Sequence, residues 1–290
     1  MLDRLERLAD HPWLRFPRLV VREAIADDLP GEAARAAYFA FLSLFPIVIA
    51  LFALTGLFGG DAAFDAIMQL IRQSLPGDAA DYLQRFVGEV TGSSRPGMLS
   101  LGVLLVLWSG SSIFTALIAG LNRVYDLNET RPWWLRRLLG LVGLVLSLVL
   151  VNVGAVAVLG GPALFAWIGE GSSGWRFLRW PASFALFTLL LWALYYLLPD
   201  RRRGRHTALP TLVGALSGSC LWLLGTLGFR AYLREFSRLD ATYGFVGGVI
   251  VLLLWLYLTT FAILIGGEIA ATREQTRDEG WEVGGAPSRS

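Results

Sequence analysis

Residues 241–267 read ATYGFVGGVIVLLLWLYLTTFAILIGG, a run without one charged side chain that stops against Glu268. A helix needs about 20 consecutive, mostly apolar residues to cross the hydrocarbon core of a bilayer, and this run exceeds that. Working back along the chain, residues 36–60, 96–122, 138–169, 180–199 and 206–229 are also free of Asp, Glu and Arg. A soluble core seldom supplies such an interval repeatedly, and here there are six. The apolar fraction of 55%, the charged fraction of 17% and a mean hydropathy of +0.56 point the same way. The expected fold is all-α and polytopic, with six transmembrane helices at about 35–59, 98–122, 138–160, 180–199, 208–229 and 244–268, plus short amphipathic interfacial helices.

Orientation follows from the arginines, because short loops rich in basic residues stay cytoplasmic. One side collects the N-terminal arginines, Arg123, Arg131, Arg136 and Arg137, the run Arg201, Arg202, Arg203 and Arg205, and the C-terminal arginines. That side holds seventeen of the 25 basic residues; the other holds eight, over longer connections. Both termini are therefore expected in the cytoplasm. No short apolar stretch of the signal-peptide kind lies within residues 1–35, so the first span is expected to remain in the mature protein.

Outside the spans the pattern is amphipathic. Residues 1–33 alternate apolar and charged positions with breaks expected at Pro12, Pro17 and Pro30, a cytoplasmic segment suited to the headgroup layer. The connection 61–95 reads as two short amphipathic helices capping the opposite end. Gly160-Gly161-Pro162 is expected to end the third span, leaving 163–169 as an interfacial piece. Residues 272–290 are polar and end in Gly, Pro and Ser, a composition expected to stay disordered.

The residues exclude several chemistries. His11 and His206 lack Cys, Glu or His at metal-ligand spacing, so no metal or other cofactor is expected. The chain has no Lys, which rules out a phosphate loop of the usual kind. Arg201, Arg202, Arg203 and Arg205 sit directly between two spans, where anchoring against anionic headgroups explains them better than nucleic-acid binding. Cys220 is the only cysteine, so no intramolecular disulfide can form. Catalysis needs several polar groups converging on one point, and the spans offer no such set; the protein is not expected to be an enzyme.

Fewer features point to a site. Glu268 closes the last span and is either a functional intramembrane acid or a partner for an arginine such as Arg123. The second span carries Trp108, Ser109, Ser111, Ser112, Thr115 and Asn122, which either line a wet cavity or bond helix to helix. Pro46 allows a kink in the first span. Gly214 and Gly218, Gly244 and Gly248, and Gly56 and Gly60 are spaced for close helix approach.

An ordered set of motifs adds a resemblance. Ala36-Ala37-Tyr38 through Ser43-Leu44-Phe45-Pro46, then Leu121-Asn122-Arg123-Val124-Tyr125, Arg131-Pro132-Trp133-Trp134 and Tyr196-Leu197-Leu198-Pro199 come first. Ala241-Thr242-Tyr243-Gly244, Trp255-Leu256-Tyr257-Leu258 and Gly267-Glu268-Ile269-Ala270 follow. Over about residues 15–275 the chain resembles the YihY/BrkB family of bacterial inner-membrane proteins. The resemblance implies a six-helix inner-membrane protein linked variously to serum resistance, to lipid or envelope transport and, by an older label, to a ribonuclease (ribonuclease BN). The last conflicts with the residues, because a nuclease needs metal ligands or an acid–base pair.

Two function classes compete. The first is a transporter or lipid flippase-like protein whose cavity or gate uses Tyr38, Ser112, Asn122, Arg123, Tyr243 and Glu268, with Pro46, Gly244 and Gly248 shaping helices and Arg123 pairing with Glu268 as the gate. The second is a non-transporting scaffold or envelope assembly factor that binds other envelope proteins or a second copy of itself. An ion channel is weaker, since it wants charge or carbonyls ringed about an axis. In every case membrane lipids are the expected partners.

Overall fold

The computed structural model describes residues 12–58, 96–167, 172–201, 208–236 and 240–278, with side chains for most of them. Among the described residues there are seven helices: α1 (Pro12–Ala26), α2 (Leu29–Phe58), α3 (Pro96–Val124), α4 (Trp133–Trp167), α5 (Ser172–Leu197), α6 (Ala208–Phe236) and α7 (Asp240–Asp278). No strand occurs among the described residues. Among the described residues, four stretches are long and apolar enough to cross a membrane: Trp133–Leu150, Trp180–Leu197, Ala208–Leu233 and Gly247–Arg277. The expected first and second spans fall on α2 and α3, which have 30 and 29 residues. The cap read at 61–95 and the positions 202–207 lie outside the described residues.

Several boundaries differ from the sequence reading, each for a physical reason. Pro17 lies inside α1 and does not divide it, whereas Pro12 and Pro30 occupy first turns, where a missing N–H costs nothing. α4 runs on through Gly160-Gly161-Pro162 to Trp167. In an apolar medium, freeing a stretch of backbone costs more than the one hydrogen bond a proline removes. α7 continues to Asp278, so residues 272–278 are ordered helix, not tail. Polar composition misled there, because the polar side chains have partners: Thr272 is buried, Glu274 reaches Arg201 at 3.2 Å and Gln275 donates to Asp126 at 3.1 Å.

Two aspartates at positive φ set the turns that align the helices. Asp28, at φ 50°, accepts the Gly31 N–H on its side chain and caps α2. Asp126, at φ 51°, closes α3: its N–H bonds the Arg123 carbonyl and the Leu127 N–H bonds the Asn122 carbonyl. That is the Schellman pattern, with Asp where Gly is usual.

α7 is the central element and packs on α6, α2, α3 and α1. Its closest seam is with α6. A methyl group at Gly266 would lie 2.7 Å from the Gly218 Cα and 2.5 Å from the Tyr195 hydroxyl, and one at Gly214 would meet the Gly266 carbonyl at 2.5 Å. Of the expected glycine pairs, Gly214 and Gly218 do bring two backbones together. Gly248 faces open space, so the helix-shaping role assigned to it is not what it performs here. The Gly244 and Pro46 side positions lie outside the described ones, although both backbones are helical.

Side-chain bonds lace the helices where a bilayer gives no hydrophobic drive between them, each worth roughly 0.6 kcal/mol. The Tyr195 hydroxyl donates to the Ile263 carbonyl at 2.5 Å, Thr260 to Ala33 at 2.9 Å and Ser43 to Ser109 at 2.7 Å. Leu29, Ala33, Ile118, Leu121, Leu191, Tyr195 and Leu264 form the buried centre. Val145, Val149, Leu224 and Leu227 point outward and are more than half exposed. A soluble protein would not leave so continuous an apolar surface in water.

Candidate functional site

The polar residues that matter converge at the arginine-rich end, where α2 begins, α3 ends and α7 closes. Glu32 is 3% exposed, and its carboxylate receives Arg123 Nη1 at 2.9 Å and Arg35 Nη2 at 2.5 Å. Arg123 also reaches the Asp27 carbonyl at 3.5 Å. The expected gate pair is therefore not formed: Arg123 belongs to Glu32, not to Glu268.

Asn122 is the hub of the same end and is 4% exposed. Its amide donates to Glu129 at 2.8 Å, and its carbonyl oxygen accepts the Asp200 N–H at 2.7 Å, so one side chain ties α3 to the loops before α4 and after α5. Arg131 grips Glu129 through Nε at 2.7 Å and Nη2 at 2.9 Å, and also donates to the Leu198 carbonyl. Burial pushes the Glu129 carboxyl up, but the Arg131 side chain and N–H outweigh it and hold it below the usual carboxylate range. Asp200 accepts both the N–H and the hydroxyl of Thr130 at 2.7 Å.

Arg201 lies over the Tyr125 ring at 4.0 Å and is only 6% exposed, so this member of the arginine run is turned inward and is no headgroup contact. Burial in turn pushes the Tyr125 phenol up. Arg202, Arg203 and Arg205 lie outside the described residues.

Glu268 is 2% exposed. Thr272 donates to its Oε1 at 3.0 Å, and Oε2 is buried without a hydrogen bond among the described residues. The charged groups that act on it among the described residues are acids: Asp27, Glu23 and Asp126. Asp27, in the turn between α1 and α2, is pushed up by burial and by Asp126 and Glu23, against smaller pulls from Arg123 and from a side-chain hydrogen bond with Glu268.

Two clefts open at this end, separated by Asp126, Leu127 and Asn128, which line both. One, of about 480 Å³, is walled by Asn122, Arg123, Arg136, Glu32, Asp27 and Thr115 among others. The other, of about 540 Å³, lies against Tyr125, Asp200, Arg201 and Glu274. Arg136 is among the residues that line the first, and its Nε is buried without a hydrogen-bond partner among the described residues.

Of the six residues expected to form a cavity or gate, the structure brings Asn122 and Arg123 into this cleft and places Glu268 behind it. Tyr38 does not join them: it is 56% exposed on α2, edge-on to Phe39. Ser112 donates to the Trp108 carbonyl at 3.0 Å and accepts from Arg137 at 3.1 Å, while the Arg137 guanidinium lies 3.9 Å over Trp108. The Tyr243 side chain lies outside the described residues. Sequence reasoning missed Asp27, Glu32, Glu129, Arg136 and Asp200. A four-residue stagger of Glu32 before Ala36, at the mouth of the first charge-free interval, was the available signal. Among the described residues no three His, Cys, Asp or Glu side chains are grouped so as to hold a metal ion.

An all-helical bundle with lipid-facing apolar sides and a polar cleft at one end defines a multi-pass integral membrane protein. The sequence matches the family described as Virulence factor BrkB over residues 20–288, so the chain belongs to that family. Its relatives include the ribonuclease-like protein YfkH of Bacillus subtilis (strain 168), 31% identical over 83% of this chain and 88% of the relative. A UPF0761 membrane protein of Neisseria meningitidis serogroup C is 26% identical over 98% of this chain and 69% of the relative. Another from Pseudoalteromonas atlantica is 25% identical over 88% and 84%. No solved structure matches.

Proposed function

We propose that this chain is a lipid-handling, flippase-like protein of the bacterial inner membrane, with α2 to α7 as six spans and both termini in the cytoplasm. The observation that carries the reading is the 480 Å³ cleft at the arginine-rich end of an otherwise apolar bundle. Arg136 lines it with a guanidinium, Arg123 adds a second one already oriented by Glu32, and Asn122 a neutral wall. A phosphate with its ester substituents suits that lining, because guanidinium groups bind phosphate oxygens through directed donors. The seventeen-to-eight distribution of arginines supports a cytoplasmic location for this end. No step of enzymatic catalysis is assigned; the ribonuclease-like name belongs to the Bacillus relative.

Lipid exchange between leaflets in proteoliposomes, read by reductant quenching of a fluorescent phospholipid, tests the reading against protein-free vesicles. Quenching beyond the outer-leaflet half that falls in Arg136→Ala supports it. Quenching equal to protein-free vesicles, with or without an ion gradient, overturns it.

A second reading, a scaffold for other envelope proteins, is favoured by the second span: Ser111, Ser112 and Thr115 all donate to carbonyls one turn back. Their hydroxyls serve the helix and leave no polar track through the described part of α3. Retention of envelope phenotype by an exchange-dead protein would favour it.

A further inference from the structure

A groove of about 530 Å³ lies away from the polar cleft, between α1 and the outer faces of α6 and α7. Its walls are apolar: Val20 and Ile25 from α1, Leu221 and Leu224 from α6, Leu258 and Phe261 from α7. On α7 it extends from Leu258 to Ile265, seven steps of helix and so roughly 10 Å. Gly225 sits in the groove wall, and a methyl group placed on it would meet nothing within 4 Å. The space beside Gly225 is therefore empty volume, unlike the filled seam at Gly218 and Gly266.

We propose that this groove binds one acyl chain of an anionic phospholipid, whose phosphate is held by the arginine row of α1. Two features select that occupant. The groove is cut between a helix rich in exposed arginine and two membrane-spanning stretches, so the medium that reaches it is lipid. Arg15, Arg18 and Arg22 recur at spacings of three and four on α1 and are exposed, which aligns them along one side of the helix next to Val21 and Ile25. Val21 and Ile25 are 58% and 72% exposed, apolar surface an interfacial helix buries in acyl chains while its arginines stay with headgroups. Positive side chains along an apolar slot match a phosphate followed by a hydrocarbon chain, and favour anionic over zwitterionic lipid.

The site does not depend on transport. Its occupancy holds α1 against α6 and α7 whether or not lipid crosses the bilayer, so its test reads occupancy, not leaflet exchange.

The experiment uses the full chain in nanodiscs of phosphatidylcholine containing a minor fraction of phosphatidylglycerol with a photoreactive acyl chain, with cross-links mapped by mass spectrometry. Labelling concentrated on 20–25, 221–225 and 258–265, several-fold above that at the lipid-facing positions Val145 and Val149, is the expected result. Gly225→Trp fills the groove and should lower that labelling about tenfold while leaving Val145 and Val149 unchanged. Arg15→Gln with Arg22→Gln should remove the preference for phosphatidylglycerol over a phosphatidylcholine probe and leave acyl labelling in place. If Gly225→Trp alters the Val145 signal too, its fold has changed and Gly225→Leu decides instead. Equal labelling at the groove and at Val145, labelling untouched by the filling variant, or cross-links showing residues 1–11 seated in the groove would each overturn the proposal.

Discussion

Two buried glutamates at the same end of the bundle have opposite surroundings. Glu32 is reached by two arginines, Arg35 and Arg123, both about half exposed. Glu268 has one hydroxyl partner, one orphan oxygen and three acids nearby. Glu32 stands at the mouth of a cleft, where water and long arginine side chains can reach it. Glu268 stands two residues beyond Gly266, at the seam where α6 and α7 touch through their backbones. Packing, more than chemistry, decides which acid gets a cation.

The seam should be the most sensitive part of that contrast. Gly266→Ala drives a methyl against the Gly218 Cα and the Tyr195 hydroxyl, and backbone cannot swing aside as a side-chain tip can. A loss of about 3 kcal/mol, the upper part of the range for overpacking, is expected in unfolding from mild detergent. Gly248→Ala, which meets open space, is the control and should change little. Equal effects at the two glycines would break the comparison.

The polar side ranks next. Asn122→Ala removes the bonds to Glu129 and to the Asp200 N–H at once and leaves buried groups unsatisfied, so a loss of about 2 kcal/mol is expected. Arg131 still holds Glu129, which limits the damage. Thermal unfolding of the variant beside the wild type measures it, and an unchanged midpoint would remove Asn122 as the hub.

How much of this was legible in the sequence divides along the same line. The intervals without charge located α4 to α7, because a membrane span is a local property of about 20 residues. Asn122 and Arg123 were singled out, yet the partner given to Arg123 was wrong, since positions 32 and 268 are both glutamates and nothing local tells which one α3 faces. Tyr38 looked like a cavity residue and stands on the outside of α2, because a single tyrosine among apolar neighbours carries no face information. The ordered end of α7 was hidden for a related reason: Thr272, Glu274 and Gln275 look like tail until Asp126 and Arg201 arrive from elsewhere in the chain.

Substituting each glutamate separates the two environments directly. Glu32→Gln withdraws the charge that orients Arg35 and Arg123, but both arginines are near water, so about 1 kcal/mol of loss is expected, and it should shrink in high salt. Glu268→Gln keeps an acceptor for Thr272 and removes a negative charge from among acids, so its stability should stay within about 0.5 kcal/mol of the wild type, on the side of gain if it moves. A larger loss at Glu268 than at Glu32 would mean that the buried acid holds a cation among residues outside the described set, and would reverse the ranking.

The smallest effect is at Asp27, which faces both sites. Burial, followed by Asp126 and Glu23, raises its carboxyl above the ordinary 3.8, so the folded protein binds this proton more tightly than the unfolded chain does. Stability from this group is therefore greatest at pH values below 3.8 and falls as pH rises through the folded-state value, after which it is flat. Asp27→Asn abolishes that decline. It should be slightly more stable than the wild type near pH 7, and the advantage should vanish on acidification. Paired unfolding curves across pH 3 to 7 read the difference, and because Asp27 is only partly buried the gain should be small. A gain that persisted at the acid end would show that the carboxyl group is disfavoured by its shape or contacts. Charge would then not be what Asp27 shares with Glu268.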